Sequence, residues 1–152
     1  MRLIAIGRAR NGAPEAELLA RYATRIKPGL TLVELPDGNG SPIEIKRREA
    51  DSILALLSAQ DFVIALDAGG AAPDSPELAR HLAKWTEHNK KLAFVIGGAE
   101  GLDASIIARA GATLSLGRLT WPHMLVRPML AEQIYRAQMI LTGHPYHRSG
   151  RP

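Results

Sequence analysis

Short apolar runs alternate with longer amphipathic segments along the whole chain, and this alternation limits the possible folds. The predicted strands are residues 3–6, 30–35, 62–66, 92–96 and 113–116. The predicted helices are residues 13–26, 43–57, 75–88, 104–110 and a long last helix that begins near 125–127 and stops at Gly143. Strands that alternate with helices form a mostly parallel sheet with helices on both faces. We therefore predict an α/β fold in one domain, residues 1–152.

Composition narrows the function classes. The chain has 152 residues, of which 46% are hydrophobic and 22% are charged, and it has no cysteine. A cysteine nucleophile, and therefore a methyltransferase that forms a covalent cysteine adduct with a pyrimidine, is excluded. The apolar runs are shorter than the ~20 residues that a membrane-spanning helix needs. The apolar stretch at the start of the chain is too short for a secretion signal, so we expect a cytoplasmic protein that does not enter a membrane.

The charge of the chain suits a polyanionic partner. The net charge is +4 and the sequence pI is about 9.8. Many small proteins are equally basic without binding nucleic acid, so this signal is weak alone. Basic residues cluster at residues 46–48, on a helix face (46–49) that we expect to lie in water, and in a tail that ends the chain with Tyr146, His147 and Arg148. Two rings and a planar cation can hold RNA bases and phosphates, although terminal residues are often disordered.

Three turns at strand ends form a candidate ligand site. They are Leu66 with Asp67, Gly97 with Gly98, and the loop 118–123, in which Pro122 restricts the backbone. In open α/β sheets ligands bind at the carboxyl ends of the strands, where glycines let the backbone come close. The pattern G-G-x-x-G is not a dinucleotide fingerprint, and no phosphate loop occurs. From these residues alone, ordinary βα turns explain the pattern equally well.

The last helix carries further candidates. Glu132 and Arg136 form an i,i+4 pair. Pro128 is expected in the first turn, where its missing N–H costs nothing. Arg127 lies at the positively polarised start of the helix, and this unfavourable position suggests an anionic partner. His123 could cap the helix, orient a substrate or accept a proton.

Metal and hydrolase chemistry are not indicated. His81 and His88 lie on one helix but about 10 Å apart, too far to share an ion, so we predict solvated histidines and no metal. The serines have no nucleophile-elbow context.

Four segments of the chain resemble one family. They are I-G-G-A-E-G-L (96–102), L-T-W-P-H-M-L-V-R (119–127), E-Q-I-Y-R-A (132–137) and H-P-Y-H-R (144–148). The chain resembles the SPOUT-class RNA methyltransferases, specifically the bacterial large-subunit rRNA pseudouridine N3-methyltransferases. Ala99 departs from the usual proline of the family, and Trp121 replaces a residue that is commonly smaller or a different apolar one.

The resemblance implies a fold with a C-terminal trefoil knot, and a homodimer whose RNA site is built from both subunits. It implies transfer of a methyl group from S-adenosylmethionine to N3 of a pseudouridine in 23S ribosomal RNA, with the ribosome or its RNA as partner. The implied cofactor residues are Leu66, Gly97, Gly98, Arg118, Leu119, Thr120, Trp121, Pro122 and His123. The implied catalytic residues are His123, Arg127 and His147, and the implied substrate residues are Arg127, Glu132, Tyr146, His147 and Arg148.

Apolar residues outside the main stripe of the last helix, Met129, Tyr135 and Met139, agree with a dimer contact. Two alternatives remain at this point. The first is a ribosome- or RNA-binding module of the same fold without transfer activity. The second is another nucleotide-binding α/β enzyme, which the absent phosphate loop disfavours.

Overall fold

A computed structural model describes residues 1–10, 12–87 and 91–148. The strands are β1 (Arg2–Ile6), β2 (Thr31–Leu35), β3 (Asp61–Ala71), β4 (Lys91–Ile96) and β5 (Ala112–Leu114). The helices are α1 (Pro14–Ala23), α2 (Pro42–Leu54), α3 (Ser75–Thr86), α4 (Ala104–Arg109) and α5 (His123–Leu141). Each predicted element is present, and His88 lies outside the described residues.

The five strands form one parallel sheet in the order β2-β1-β4-β3-β5. Alternate residues of the central strands enter two cores on opposite faces. Leu3 and Ala5 pack in the core that contains residues of α1, α3 and α5, whereas Ile4 and Ile6 pack in the core that contains residues of α2 and α4. The predicted parallel sheet with helices on both faces is therefore confirmed.

The third strand is longer than predicted. It runs through Gly69 and Gly70 to Ala71, where a loop was expected. Leu66 and Ala71 are both paired with Leu114, so the residues between them leave the regular ladder. A β-carbon on Gly70 would lie 2.8 Å from the Leu114 amide nitrogen, which explains how turn-forming glycines serve here as strand residues at a close approach.

Helix boundaries also differ from the predictions. Helix α3 is capped by Asp74: its carboxylate accepts the Glu77 N–H at 2.7 Å. Helices α1 and α2 end three residues earlier than predicted, and Leu56, which was expected within α2, lies beyond its end and is exposed. Helix α5 begins at His123, because the Pro122 carbonyl accepts the first helical N–H groups. Pro128 therefore lies inside the helix and not in its first turn.

One prediction for α2 was wrong in a way that matters for the site. The face 46–49 was expected in water, but Glu49 is 5% exposed. Its carboxylate turns inward and accepts the Gly38 N–H at 3.1 Å. The helix thus places an acidic side chain at the carboxyl edge of the sheet.

Candidate functional site

A cavity of about 230 Å³ opens at the carboxyl edge of the sheet, beyond β4, β3 and β5. These strands are neighbours in the sheet, so the turns that follow them meet. The cavity is lined by Leu66, Asp67, Ala68, Ile96, Gly97, Gly98, Gly101, Leu102, Leu114, Ser115, Leu116, Gly117, Leu119, Thr120, Trp121, His123 and Val126. The three turns singled out in the sequence therefore share one space.

The predicted cofactor residues fall into two groups. Leu66, Gly97 and Gly98 line the cavity, as do Leu119, Thr120, Trp121 and His123. Arg118 and Pro122 belong to the same loop but are not among its lining residues. The segment 114–117 and the side chains of Leu102 and Val126 complete the lining. Leu114 and Leu116 come just before the turn at Gly117. They could have been predicted from the sequence if the candidate loop 118–123 had been extended back into the strand before it.

The glycine turn after β4 leaves no room for side chains. A β-carbon on Gly97 would lie 3.0 Å from the Gly101 carbonyl carbon, and one on Gly98 would lie 2.9 Å from Glu49 Oε1. Both distances are shorter than ordinary contacts: a side chain at 97 would press on backbone, and one at 98 would displace the Glu49 carboxylate. The backbone can then approach a bound ligand closely.

Hydrogen bonds fix the segment that follows β5. The Ser115 N–H donates to the Ala71 carbonyl at 2.7 Å, and the Ser115 hydroxyl donates to the Gly117 carbonyl at 2.9 Å. Gly117 has φ +111°, a conformation that favours glycine. Beyond it the loop is open, since Leu119 is 70% exposed and Trp121 is 38% exposed. The loop therefore presents apolar side chains both to the cavity and to its mouth.

His123 lies between the cavity and the end of β1. It is the first residue of α5 and lines the cavity. A β-carbon on Gly7, which has φ +91°, would lie 3.2 Å from His123 Nε2. Gly7 thus gives the imidazole the space it occupies.

Arg127 finds its anionic partner inside the chain. The guanidinium donates to Glu34 Oε1 at 2.7 Å and to the carbonyls of Ile6 and Gly7 at 2.8 Å and 2.9 Å. Glu34 also accepts the Ala9 N–H at 2.8 Å. Since Arg127 is 2% exposed, it holds the start of α5 against the ends of β1 and β2 and is not open to a phosphate.

The tail packs back onto α5. The Tyr146 hydroxyl donates to Glu132 at 3.0 Å, and the Tyr146 ring meets the edge of Tyr135. Arg136 lies 4.9 Å from the centre of the Tyr146 ring and donates to Glu132 at 3.0 Å, which confirms the predicted i,i+4 pair. Burial, followed by hydrogen bonds with Tyr22 and Glu132, raises the pKa of Tyr146 well above its usual value.

The tail residues do not line the cavity of their own chain. His147 is half-buried with Nδ1 out of water, and Arg148 is exposed. Glu132 instead lines a second, larger cavity of about 450 Å³, together with Tyr22, Met129 and Pro128. Both cavities share the segment 114–117. Within one chain, the tail residues predicted to bind substrate therefore lie apart from the predicted cofactor residues.

Among residues 1–10, 12–87 and 91–148, no three acidic, histidine or cysteine side chains gather as a metal site would require. In the same part of the chain, no helix combines the length and the apolar character needed to span a membrane.

Comparison with known proteins decides the family. A family model described as predicted SPOUT methyltransferase matches residues 1–147. The chain belongs to the SPOUT methyltransferase family. The chain is 65% identical over 152 residues to the ribosomal RNA large subunit methyltransferase H of Acidiphilium cryptum. This match covers 100% of this chain and 96% of the relative. It is 54% identical to the protein with that name from Gluconacetobacter diazotrophicus, over 100% of this chain and 99% of the relative.

A solved methyltransferase structure agrees on the fold. The SpoU methyltransferase AviRb from Streptomyces viridochromogenes, solved in complex with AdoMet, matches with a TM-score of 0.50 and 12% identity. The match covers 99% of this chain and 59% of that chain. At this identity the likeness concerns the fold alone.

Proposed function

We propose that this SPOUT protein transfers the methyl group of S-adenosylmethionine to N3 of a pseudouridine in the 23S RNA of the large ribosomal subunit. The observation that carries the proposal is the single cavity formed by three turns at the ends of neighbouring strands. The relatives named as large-subunit rRNA methyltransferases, at 65% and 54% identity, support the substrate class.

The cavity residues suit the proposed cofactor. Apolar side chains such as Leu66, Ile96 and Leu116 can pack on the faces of an adenine ring, and the bare backbone at Gly97 and Gly98 can meet its polar edge. Asp67 adds an acidic acceptor that suits ribose hydroxyls. When bound, S-adenosylmethionine supplies an electrophilic methyl group on a sulfonium.

The main task of the protein is then to position the reactants. In-line alignment of an acceptor nitrogen at roughly 3–3.5 Å can account for much of the rate. As the N3–C bond forms and the C–S bond breaks, N3 loses its proton. His123, which lines the cavity, is one acceptor for it; His147 or water is another. Arg127 does not contact the reactants; it helps to position His123, because it anchors the helix that begins there.

A homodimer completes this proposal. Tyr146, His147 and Arg148 would stack on and pair with RNA, with Glu132 as a further substrate residue, yet the tail does not line the cavity of its own chain. A partner subunit seated on the larger apolar cavity beside Met129 would bring its own tail to the site. Tyr135, by contrast, is already packed against Tyr22 and Tyr146.

The remaining family features belong to the same proposal. We expect residues 1–152 to act as one domain with a C-terminal trefoil knot, in the cytoplasm, where the ribosome is. Gel filtration tests the dimer: a stable species of about 16 kDa with full activity would contradict it.

Two measurements test the function. Mass spectrometry of ribosomal RNA from cells that lack this chain is expected to show one missing methyl group at a pseudouridine, restored by the wild-type gene. Calorimetry with the purified protein is expected to show micromolar binding of S-adenosylmethionine. RNA binding without cofactor binding would indicate a non-catalytic module, and nucleotide affinity without any RNA dependence would indicate a different α/β enzyme.

A further inference from the structure

Glu49 is a buried acid that the proposed mechanism does not use. It is 5% exposed, on the inner face of α2. Oε1 accepts the Gly38 N–H at 3.1 Å, whereas Oε2 is buried and has no hydrogen-bond partner among the described residues. A buried carboxylate without full pairing costs free energy, and a well-packed apolar residue would serve the fold better. The position of this carboxylate therefore calls for a reason other than stability.

The carboxylate lies directly behind the proposed cofactor cavity. A β-carbon on Gly98 would lie 2.9 Å and 3.0 Å from the two oxygens of Glu49, so the acid occupies the space that a side chain at 98 would need. Gly98 itself lines the cavity. One residue without a side chain thus separates the carboxylate from the cavity.

An ionised carboxylate at this position makes the potential in the cavity more negative than an uncharged side chain would. A charge that is shielded from water is weakly screened, so its field extends into the neighbouring space. Of the three basic side chains of α2, Lys46 is half-buried, whereas Arg47 and Arg48 are exposed to solvent and are better screened. Arg48 also turns away, toward the Asn39 carbonyl, to which it donates at 2.8 Å.

The proposed methyl donor and its demethylated product differ in charge at the sulfur atom. S-adenosylmethionine carries a sulfonium cation, whereas the product S-adenosylhomocysteine has a neutral thioether. We infer that Glu49 is a specificity residue of the cofactor site, whose buried carboxylate favours the sulfonium over the thioether. This inference rests on the proposed function. It assigns the residue no contact with the reacting atoms.

The test is calorimetry of the E49Q protein with both ligands. Glutamine keeps an acceptor for the Gly38 N–H and the same shape, but removes the charge. We expect the dissociation constant for S-adenosylmethionine to rise roughly ten-fold. This is the order of magnitude for losing the attraction between two unit charges about 10 Å apart in partly buried surroundings. The constant for S-adenosylhomocysteine should change less than about two-fold, and thermal stability should not fall.

The matched control is Asp51→Asn, which removes an acid from the exposed face of the same helix. It should leave both constants unchanged. Equal weakening of both ligands by E49Q would show that Glu49 only shapes the turn, and unchanged constants would show that its charge does not reach the cavity. Either result overturns the inference.

A wild-type measurement covers the case in which E49Q does not fold. Sinefungin, which carries an ammonium near the sulfonium position, should bind more tightly than S-adenosylhomocysteine to the wild-type protein. Equal affinity would overturn the inference without any variant. If the folded wild-type protein binds none of the three compounds, the proposed function fails instead, so the two failures are distinguishable.

Discussion

Replacing Arg127 by methionine is the most demanding test of the packing behind the site. The change removes a guanidinium that is 2% exposed and that donates to one carboxylate and two backbone carbonyls within 2.9 Å. Glu34 loses its cationic partner, and the carbonyls of Ile6 and Gly7 lose a charged donor. Loss of one partner of a buried ion pair costs about 3–5 kcal/mol.

Urea unfolding measures this loss. With a slope of about 2 kcal/mol per molar urea, the midpoint should fall by roughly 2 M. The melting temperature should fall by about 10 °C, at about 2–4 °C per kcal/mol for a chain of this size. Protomer concentration must be held fixed, because association would contribute to the measured stability.

Two variants show whether the pairing is responsible. Arg127→Lys keeps the charge but cannot hold three acceptors in one plane, so an intermediate loss is expected. Arg80→Met removes an arginine of similar length from an exposed pair with Glu77 at 4.0 Å and should cost less than about 1 kcal/mol. If Arg127→Met cost no more than Arg80→Met, our account of this network would be refuted.

Three further predictions concern the site and the fold. Gly97→Ala should weaken S-adenosylmethionine binding at least ten-fold in calorimetry, because the added methyl group meets Gly101 at 3.0 Å; unchanged affinity would contradict this crowding. Tyr146→Phe removes the hydrogen bond to Glu132 and should cost about 1 kcal/mol in urea unfolding. It should also slow RNA methylation while cofactor affinity stays constant, and an equal loss of both would argue against a substrate role. The pKa of Asp61 is lowered: burial alone would raise it, but hydrogen bonds from Ser58 and Arg2 outweigh that effect. A carboxyl whose pKa is lower in the folded protein stabilises the fold at pH values above its unfolded pKa of about 3.9. This stabilisation is lost as the pH falls through the folded pKa. Asp61→Asn should therefore flatten the acid limb of a pH–stability curve measured below about pH 4.

The sequence allowed the sheet and its cavity to be predicted, because both depend on local patterns. Alternation of apolar runs with amphipathic segments indicates parallel strands, and the turns after residues 66, 96 and 116 reveal their carboxyl ends. Strand order was beyond this reasoning. That β4 lies between β1 and β3 depends on how helices pack on both faces, which no single segment encodes.

Errors arose where tertiary contacts override local preference. Gly69 and Gly70 read as a loop, yet the strand continues because Gly70 lets β3 approach Leu114. Glu49 read as a solvated residue on a charged face, yet it is buried against Gly98. Arg127 suggested an external anion, whereas the partner, Glu34, lies 93 residues away in the sequence. Side-chain pairs that are distant in sequence leave no periodic signal.

The segment 114–117 borders both cavities, so the proposed cofactor site and the proposed subunit contact share one boundary. A ligand in one cavity that favours one arrangement of these four residues changes the affinity of the other cavity for its own ligand. Thermodynamic coupling is reciprocal, so the second ligand changes the affinity for the first by the same factor. Subunit association at Met129 and occupancy near Gly98 would then report on each other. Where the methyl donor and the partner subunit favour the same arrangement, dilution that separates the subunits would weaken donor binding, and excess donor would hold the subunits together.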